Sequence, residues 1–274
     1  MAITQYQVGN HDLARRLAYT SWEFCTESKK NLSAPMQALV RVANGVDTLY
    51  TLRGGITAIA QQGKSLVCVS KYGEVYYIAD VTKHNKKDIE GRLLCQKSDL
   101  DFRDVRMGKG DAVYARDFKN GWLNVRDLTP IDITGIATTT PAPVPEAKAY
   151  KNGEIVFKSE TGKELTLQGM RSEVTVMACV EEFLFATSLD GTLRIWNLRS
   201  ELLMPVTIYS HSKWIYCMHH DKADKTLYLG TADGLLLRVT ISPRRWAERS
   251  TDRLSQDEWN ECVGTDIEYR YSKK

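Results

Sequence analysis

The feature that most constrains this chain is a strand–turn–strand pattern that occurs five times, and each copy turns at a glycine. The turns contain the pairs Tyr72-Gly73, Asn120-Gly121, Asn152-Gly153, Asp190-Gly191 and Asp233-Gly234. Four of these five are Asn-Gly or Asp-Gly pairs, which favour tight hairpins because glycine adopts the positive φ angle that such turns need. The pattern therefore predicts five β-hairpins between residues 65 and 241.

The spacing of the turn glycines indicates a larger repeat. Successive glycines are 48, 32, 38 and 43 residues apart, which brackets the roughly 40 to 45 residues of a four-stranded propeller blade. A further strand candidate precedes each hairpin, at residues 56–61, 102–108, 133–139, 174–180 and 214–220. Because one four-stranded sheet cannot bury both of its faces alone, such units pack side by side in a ring. The sequence thus predicts an all-β fold, a β-propeller of about five four-stranded blades.

The two ends of the chain differ from this repeat. Apolar residues recur at helical spacing in 11–28 and 33–45, and DEWNECV at 257–263 predicts a short C-terminal helix. We therefore divide the chain into three parts, namely a helical N-terminal segment at 1–45, the propeller at 46–243 and a C-terminal tail at 244–274 with its helix packed on the propeller.

The strand candidate VDTLYTLR at 46–53 has no hairpin of its own. We expect it to pair with residues 235–241 and so to join the first and last blades. The apolar side of the N-terminal helices must also be covered. Three surfaces could cover it: the flank of the propeller, the C-terminal helix, or a preceding domain of a longer protein.

Composition excludes several classes of function. Lys and Arg outnumber Asp and Glu by 37 to 34, a bias too small to imply a nucleic-acid partner. The six cysteines lie far apart without a CxxC pair, which is typical of thiols in a reducing, cytoplasmic setting. No apolar run approaches the roughly 20 residues that span a bilayer, so we expect no membrane insertion.

Two segments resemble WD repeats. LDGTLRIWNL at 189–198 resembles the strand–turn–strand of that family, and SHSKWIYCM at 210–218 resembles the start of a repeat. The resemblance implies a WD-repeat-like β-propeller with a buried hydrogen-bond network in each blade. The residues that match this network are Ser188, Asp190 and Trp196 in the fourth blade and His211, Thr231 and Asp233 in the fifth. Neither blade has the full set. The fourth has no histidine before its first strand, and in the fifth Val239 stands where the tryptophan would be.

The C-terminal segment RLSQDEWNECVGTDIEYR is similar to the end of C-terminal propellers in large bacterial multidomain proteins. Those proteins resemble STAND-type signalling NTPases and caspase-like proteases. The resemblance implies a sensor or scaffold portion of a bacterial signalling or defence assembly, with an upstream effector or NTPase domain among its partners, or a stand-alone relative of such a portion.

Propellers of the WD type bind protein partners on the face formed by their hairpin turns and by the loops that lead into the innermost strands. In this sequence the resemblance assigns partner binding to Arg53, Tyr72, Phe102, Arg103, Phe118, Arg171, Lys213 and Trp214. Arginine and aromatic residues are enriched at the centres of interfaces. The alternative for Phe102 and Trp214 is that both rings pack between neighbouring blades.

The segment CMHHD at 217–221 suggests a metal site because thiolate and imidazole bind zinc and copper. On a strand, however, Cys217 and His219 point to one face and His220 to the other. At most two ligands would converge, and a closed zinc site needs about four. We therefore interpret these residues as packing or channel-lining residues and expect neither a metal nor a cofactor.

No motif indicates a reaction class. QQGKSL at 61–66 lacks the first glycine of a phosphate-binding loop, since Ala58 stands there. Acidic residues such as Glu181 and Glu182, or Asp101 and Asp104, are commoner as solvated loop charges than as catalytic pairs. The basic clusters at 84–88 and 244–246 are too far apart to form a continuous stripe for nucleic acid. We therefore expect a non-catalytic interaction or ligand-sensing scaffold; the alternative is a hydrolase or lyase with its site over the central channel.

Overall fold

The protein is mostly β with a small helical content. The computed structural model describes residues 1–27, 33–43, 45–83, 85–139, 147–158, 162, 164–180, 182–200, 203–241, 253–269 and 271. In this part of the chain the strands are β1 (Val46–Thr51), β2 (Ile56–Gln62), β3 (Ser65–Ser70), β4 (Glu74–Ile78), β5 (Gly91–Gln96), β6 (Phe102–Gly108), β7 (Ala112–Asp117), β8 (Gly121–Asn124), β9 (Ala147–Ala149), β10 (Ile155–Lys158), β11 (Glu164–Leu167), β12 (Val174–Val180), β13 (Phe183–Ser188), β14 (Thr192–Asn197), β15 (Val206–Ser210), β16 (Ile215–Asp221), β17 (Thr226–Thr231) and β18 (Leu235–Thr240).

The strands form five antiparallel sheets, which we number I to V in chain order. Their strand orders are β2-β3-β4-β5 in sheet I, β6-β7-β8 in sheet II, β9-β10-β11 in sheet III, β12-β13-β14-β15 in sheet IV and β16-β17-β18-β1 in sheet V. Each sheet contains one of the predicted hairpins, and all five turn glycines have φ between 65° and 89°. The five hairpin predictions are confirmed.

The pairing that joins the two ends of the repeat region is also confirmed. Strand β1 runs antiparallel to β18, from Val46 opposite Val239 to Thr51 opposite Leu235, and the register shifts at Leu49. An ion pair supports the pairing, since the Arg238 Nη2 atom donates to the Asp47 Oδ2 atom at 2.8 Å. The first strand of the chain therefore completes the last sheet.

One of the five predicted leading strands is wrong. Residues 133–139 form no strand: they contain a turn, and their last residues meet sheet II through an isolated bridge between Thr138 and Gly108 and a hydrogen bond from the Thr139 N–H to the Met107 carbonyl at 2.8 Å. The local cause is a turn in which the backbone N–H of Thr134 donates to the Asp132 side chain at 2.8 Å, followed by Gly135 at φ 82°. Within the described residues, sheets II and III have three strands each, not four.

Apolar clusters join four pairs of neighbouring sheets. They link sheet I to II, III to IV, IV to V, and V to I. Within the described residues no such cluster joins sheets II and III. The face of sheet II that lies away from sheet I instead carries Asp104, Arg106, Tyr114, Arg116 and Trp122. We name this face of sheet II the II–III seam, since sheet III follows sheet II along the chain.

Four α-helices lie outside the sheets in the described part of the chain: α1 (Ala2–Gln7), α2 (His11–Glu27), α3 (Ser33–Ala43) and α4 (Gln256–Cys262). Helices α2, α3 and α4 occur where they were predicted, and α1 was not predicted. The C-terminal helix was expected to pack on the propeller, but its described apolar cluster contains residues of the N-terminal helices and of the tail, and none from a strand. Apolar residues of α2 and α3 pack into the cluster between sheets IV and V, while Leu17 of α2 packs on Trp259 of α4. Of the surfaces considered for the N-terminal helices, both the flank of the sheets and the C-terminal helix are therefore in contact with them. None of the described helices is long and apolar enough to cross a membrane.

Candidate partner-binding site

The hairpin turns lie against the loops that lead into the next sheet. The backbone N–H groups of Lys97, His211 and Leu52 donate to the carbonyl oxygens of Gly73, Gly191 and Gly234, at 3.1, 3.0 and 2.8 Å. These three donors precede β6, β16 and β2, the first strands of sheets II, V and I. We name the end of the molecule that carries the hairpin turns and these loops the turn face.

Close approach explains why the turns require glycine. A Cβ atom at Gly191 would lie 2.1 Å from the carbonyl oxygen of His211, and one at Gly234 would lie 2.1 Å from that of Leu52. Gly121 differs, because a Cβ atom there would meet nothing within 4 Å. Its sheet borders the II–III seam, where no regular leading strand follows.

Five residues form a cluster of rings and cations on the turn face, between sheets V and I; we name it the aromatic patch: Arg53, Lys71, Tyr72, Trp214 and Tyr216. The side chains of Tyr72 and Trp214 are 58% and 48% exposed. The Lys71 Nζ atom lies 3.2 Å from the Tyr216 hydroxyl and 4.5 Å from the centre of its ring, and the Trp214 and Tyr216 rings meet edge to face. Patches of this kind combine large apolar area with positive charge.

Two glycines allow the rings of Tyr72 and Tyr216 to pack closely against the backbone beneath the patch. A Cβ atom at Gly54 would be 2.1 Å from the Tyr72 ring, and a Cβ atom at Gly55 would be 2.6 Å from the Tyr216 ring. A larger residue at Gly54 would displace the Tyr72 ring, and one at Gly55 would displace the Tyr216 ring. Lys71 and Tyr216 were missed by sequence reasoning, and the Gly-Gly pair before β2 was the available signal.

A second, smaller group lies on the turn face at sheet II. The Phe118 ring is 72% exposed, and the Arg103 guanidinium lies 5.6 Å from its centre while forming an ion pair with Asp101. Lys213 and Arg171 are also exposed, and Arg171 lies near Arg194 of sheet IV, in a different part of the face.

The expectation that Phe102 contacts a partner is wrong. Its side chain is fully buried in the cluster between sheets I and II, so no partner can reach it. The alternative, in which both Phe102 and Trp214 are buried between sheets, holds for Phe102 but not for the half-exposed Trp214.

The structure joins the three network residues of sheet V. The His211 Nε2 atom lies 2.9 Å from the Asp233 Oδ2 atom, and the Thr231 hydroxyl donates to Asp233 Oδ1 at 2.6 Å. Desolvation raises the pKa of Asp233, but the hydrogen bonds from Thr231 and His211 outweigh it and lower the pKa below its ordinary value. The network holds the last hairpin turn in place.

In sheet IV the corresponding residues are only partly joined. The backbone N–H of Asp190 donates to the Ser188 hydroxyl at 3.2 Å, and the Asp190 carboxylate accepts from the Thr192 hydroxyl at 2.6 Å. Trp196 is fully buried, but its indole N–H donates to the carbonyl of Gln168 at 3.2 Å. The tryptophan therefore ties the loop between β11 and β12 to sheet IV. Its indole N–H does not donate to the hairpin-turn residues Ser188 and Asp190.

Sheet II holds its turn with an aspartate that sequence reasoning missed. The Asp117 carboxylate accepts from the backbone N–H groups of Asp101, Lys119 and Asn120, at 2.7, 3.0 and 2.9 Å. Desolvation raises the pKa of Asp117, and these hydrogen bonds more than offset it, so that the pKa is lowered. The available sequence signal was the position of Asp117 just before its hairpin turn, much as Ser188 and Thr231 lie just before theirs.

A cavity of about 290 Å³ lies between strands β2, β6, β12 and β16. On its wall the His219 Nε2 atom lies 3.1 Å from the Gln61 Oε1 atom, and the Gln61 amide donates to Asp221 at 2.6 Å. Desolvation lowers the pKa of His219, although Asp221 opposes this effect. Burial raises the pKa of the Cys217 thiol to about 12. The imidazole is thus kept neutral and the thiol protonated.

The other candidate residues do not assemble into a site. Cys217 and His219 both face sheet I, through contacts with Ile56 and Gln61. Among the described residues no group of three or more His, Cys, Asp or Glu side chains could hold a metal ion. In the basic cluster at 84–88, Asn85 caps the short 3₁₀ helix Lys86–Asp88. His84, Glu181 and the cluster at 244–246 lie outside the described residues.

Comparisons with known proteins find solved structures that match at low identity. No protein-family model and no curated protein matches the sequence. The WD40 β-propeller domain of Doa1 is 13% identical over 74% of this chain and 99% of that one, with a TM-score of 0.43. The computationally designed Ika4 protein is 16% identical over 70% of this chain and 94% of that one, with a TM-score of 0.26. At such scores neither similarity assigns the chain to a family.

Proposed function

We propose that the five sheets form a WD-repeat-like β-propeller that binds a protein partner through its turn face. One observation carries this proposal. Nine large hydrophobic side chains are exposed in the described part of the chain, and four of them, Tyr72, Phe118, Tyr150 and Trp214, lie on this one face. Binding energy at interfaces is concentrated in such aromatic residues, and Arg53, Arg103 and Lys213 beside them supply charge.

The chemistry of the cavity favours docking over the alternative of a hydrolase or lyase. A general base has to be accessible and poised near neutral pH, whereas His219 is largely buried with a lowered pKa and is engaged by Gln61. A nucleophilic cysteine has to ionise, and the raised pKa of Cys217 opposes this. The aromatic and cationic residues on the turn face suit a docking platform better.

We further propose that the propeller is the sensor or scaffold portion of a bacterial signalling assembly in the cytoplasm. The support for the assembly is the resemblance of residues 253–270 to the ends of such propellers. The support for the compartment is that all six cysteines are free thiols, as a reducing environment would keep them. Co-purification of the chain with an NTPase or effector domain from the source cells would test the first point.

Partner capture tests the docking function. The immobilised protein is exposed to lysate of the source organism, and Tyr72→Ala combined with Trp214→Ala should weaken binding of the captured partner by about thirtyfold, because each ring is worth about 1 kcal/mol or more at a hot spot. The matched control is Leu93→Ala, an exposed apolar residue on the outer strand of sheet I. Equal capture by both variants would show that the turn face does not bind the partner.

A further inference from the structure

We propose that the aromatic patch binds an acidic segment of a partner protein, an inference that rests on the proposed docking function and adds the chemistry of the partner. The geometry behind it is a separation of charge. Around the patch, the carboxylates of Glu74 and Asp233 are engaged by groups of the turns, while the cations of Arg53 and Lys213 are exposed.

The two carboxylates nearest the patch are already engaged. Glu74 is buried, and its carboxylate accepts hydrogen bonds from the backbone N–H of Arg53 and from the Gln96 side chain. Asp233 accepts from the Thr231 hydroxyl and lies in contact with His211. The Glu74 side chain is only 4% exposed and is out of a ligand's reach. Asp233 is 38% exposed, but both of its carboxylate oxygens are engaged, one by Thr231 and the other by His211.

Three cations lie in or beside the patch: the exposed Arg53 and Lys213, and the partly buried Lys71. The Arg53 side chain is 81% exposed, and its Nε atom is 4.0 Å from the Glu74 carboxylate. Lys71 is held by the Tyr216 ring, and Lys213 is exposed next to Trp214. Among the described residues no carboxylate forms an ion pair with Lys71 or Lys213. Lys97 and Asp99, on the adjacent loop, carry opposite charges, so the patch keeps its positive character.

The arrangement fits a peptide better than a nucleic acid. Three cations would neutralise only a few phosphates, whereas nucleic-acid affinity grows with the number of phosphates contacted. Acidic side chains could pair singly with Arg53, Lys71 and Lys213, and apolar side chains between them could cover the exposed rings of Tyr72 and Trp214. Charge complementarity of this kind sets specificity and the rate of association.

Fluorescence anisotropy tests the proposal with three labelled probes: a decapeptide of glutamate and leucine, the same peptide with glutamine in place of glutamate, and decathymidine. We expect the glutamate peptide to bind about tenfold more tightly than the other two. Arg53→Glu and Lys213→Glu should each weaken its binding about tenfold. The matched control is Lys222→Glu, which makes the same charge change on an exposed loop at the opposite end of the sheets.

Three outcomes overturn the proposal, and the third is that the charge reversals have no effect. Either decathymidine or the glutamine peptide binds as tightly as the glutamate peptide, or Lys222→Glu weakens binding as much as Arg53→Glu does. If the rings are required for partner capture but the charge reversals leave capture and peptide binding unchanged, the acidic partner is wrong and docking through the turn face stands. If removal of the rings also leaves capture unchanged, the docking function itself is wrong.

Discussion

The boundary between sheets IV and V and the II–III seam are built in opposite ways. Between IV and V, buried residues such as Phe185, Ile195 and Leu229 pack together with apolar side chains of α2 and α3. At the seam, Arg106 lies 5.8 Å from the centre of the Trp122 ring and makes an ion pair with Asp104. One boundary excludes water, and the other presents charged and half-exposed side chains.

The difference shows how neighbouring sheets of a repeat are held together. Where a leading strand is present, the preceding hairpin turn docks on the loop before it, as Gly191 docks on His211. Where residues 133–139 form a turn, the glycine of the preceding hairpin, Gly121, meets nothing. Burial of apolar surface is the dominant stabilising contribution, so we expect most of the stability to reside in boundaries of the first kind.

The largest effect should come from the apolar boundary. Phe185→Ala removes a fully buried ring between sheets IV and V and should lower the free energy of unfolding by about 3 to 5 kcal/mol. Trp122→Ala at the seam removes a partly buried ring and its contact with Arg106, and should cost about 1 kcal/mol. Urea denaturation followed by circular dichroism measures both variants. Equal losses would mean that the seam is packed as tightly as the IV–V boundary.

The turn glycines of the two regions provide a second comparison, in which the expected losses of stability are smaller. Gly191→Ala should cost about 3 kcal/mol, because it adds a steric clash with the backbone of His211 to the strain of a positive φ angle. Gly121→Ala, at φ 75° but with open space around it, should cost only the strain, about 1 to 2 kcal/mol. Thermal and urea unfolding of the two variants should rank them in this order, and the reverse order would refute the docking of turns on loops.

The smallest effect is the pH dependence of the turn networks. The folded pKa of Asp233 lies below its ordinary value, so its carboxylate stabilises the fold above about pH 4 and this contribution is lost as the pH falls through the folded pKa. Asp233→Asn should therefore lower the free energy of unfolding at neutral pH and make it depend less on pH below about 4.

The exposed Asp132 of the seam segment is the matched control for this pH dependence. Hydrogen bonds from Thr134 lower its pKa as well, but the group is exposed and solvent weakens these interactions, so Asp132→Asn should flatten the curve less than Asp233→Asn does. Urea midpoints measured across the acid range test both variants. A flattening that is as large for Asp132→Asn as for Asp233→Asn would contradict the contrast between the two regions.

Local signals in the sequence predicted most of the strands. The turn glycines act within a few residues, and all five hairpins form at them, four at Asn-Gly or Asp-Gly pairs and one at Tyr72-Gly73. The segment ITGIATT also alternates like a strand, but the Asp132 turn and Gly135 interrupt it. An apolar pattern alone does not show whether such a segment forms a strand or a turn, because a side-chain turn like that of Asp132 also satisfies backbone hydrogen bonds within a few residues.

The candidate site was only partly predictable for a related reason. Tyr72 and Phe118 lie in hairpin turns, so their exposure follows from the turn prediction. Phe102 and Arg103 are neighbours in sequence, and the sequence does not show which of them faces the core. The register shift between Phe102 and Asp104 and the apolar cluster with sheet I decide that the phenylalanine is buried.

By itself, the sequence determined the five hairpins, the pairing of the first strand with the last sheet, and the helices at the two ends, because turn chemistry and apolar spacing act over short distances. Only the tertiary structure decided which boundaries between sheets are sealed and which side chains meet at the aromatic patch. Lys71 and Tyr216, for example, are 145 residues apart in the chain. Contacts of this kind depend on how whole sheets pack against each other, which no local pattern encodes.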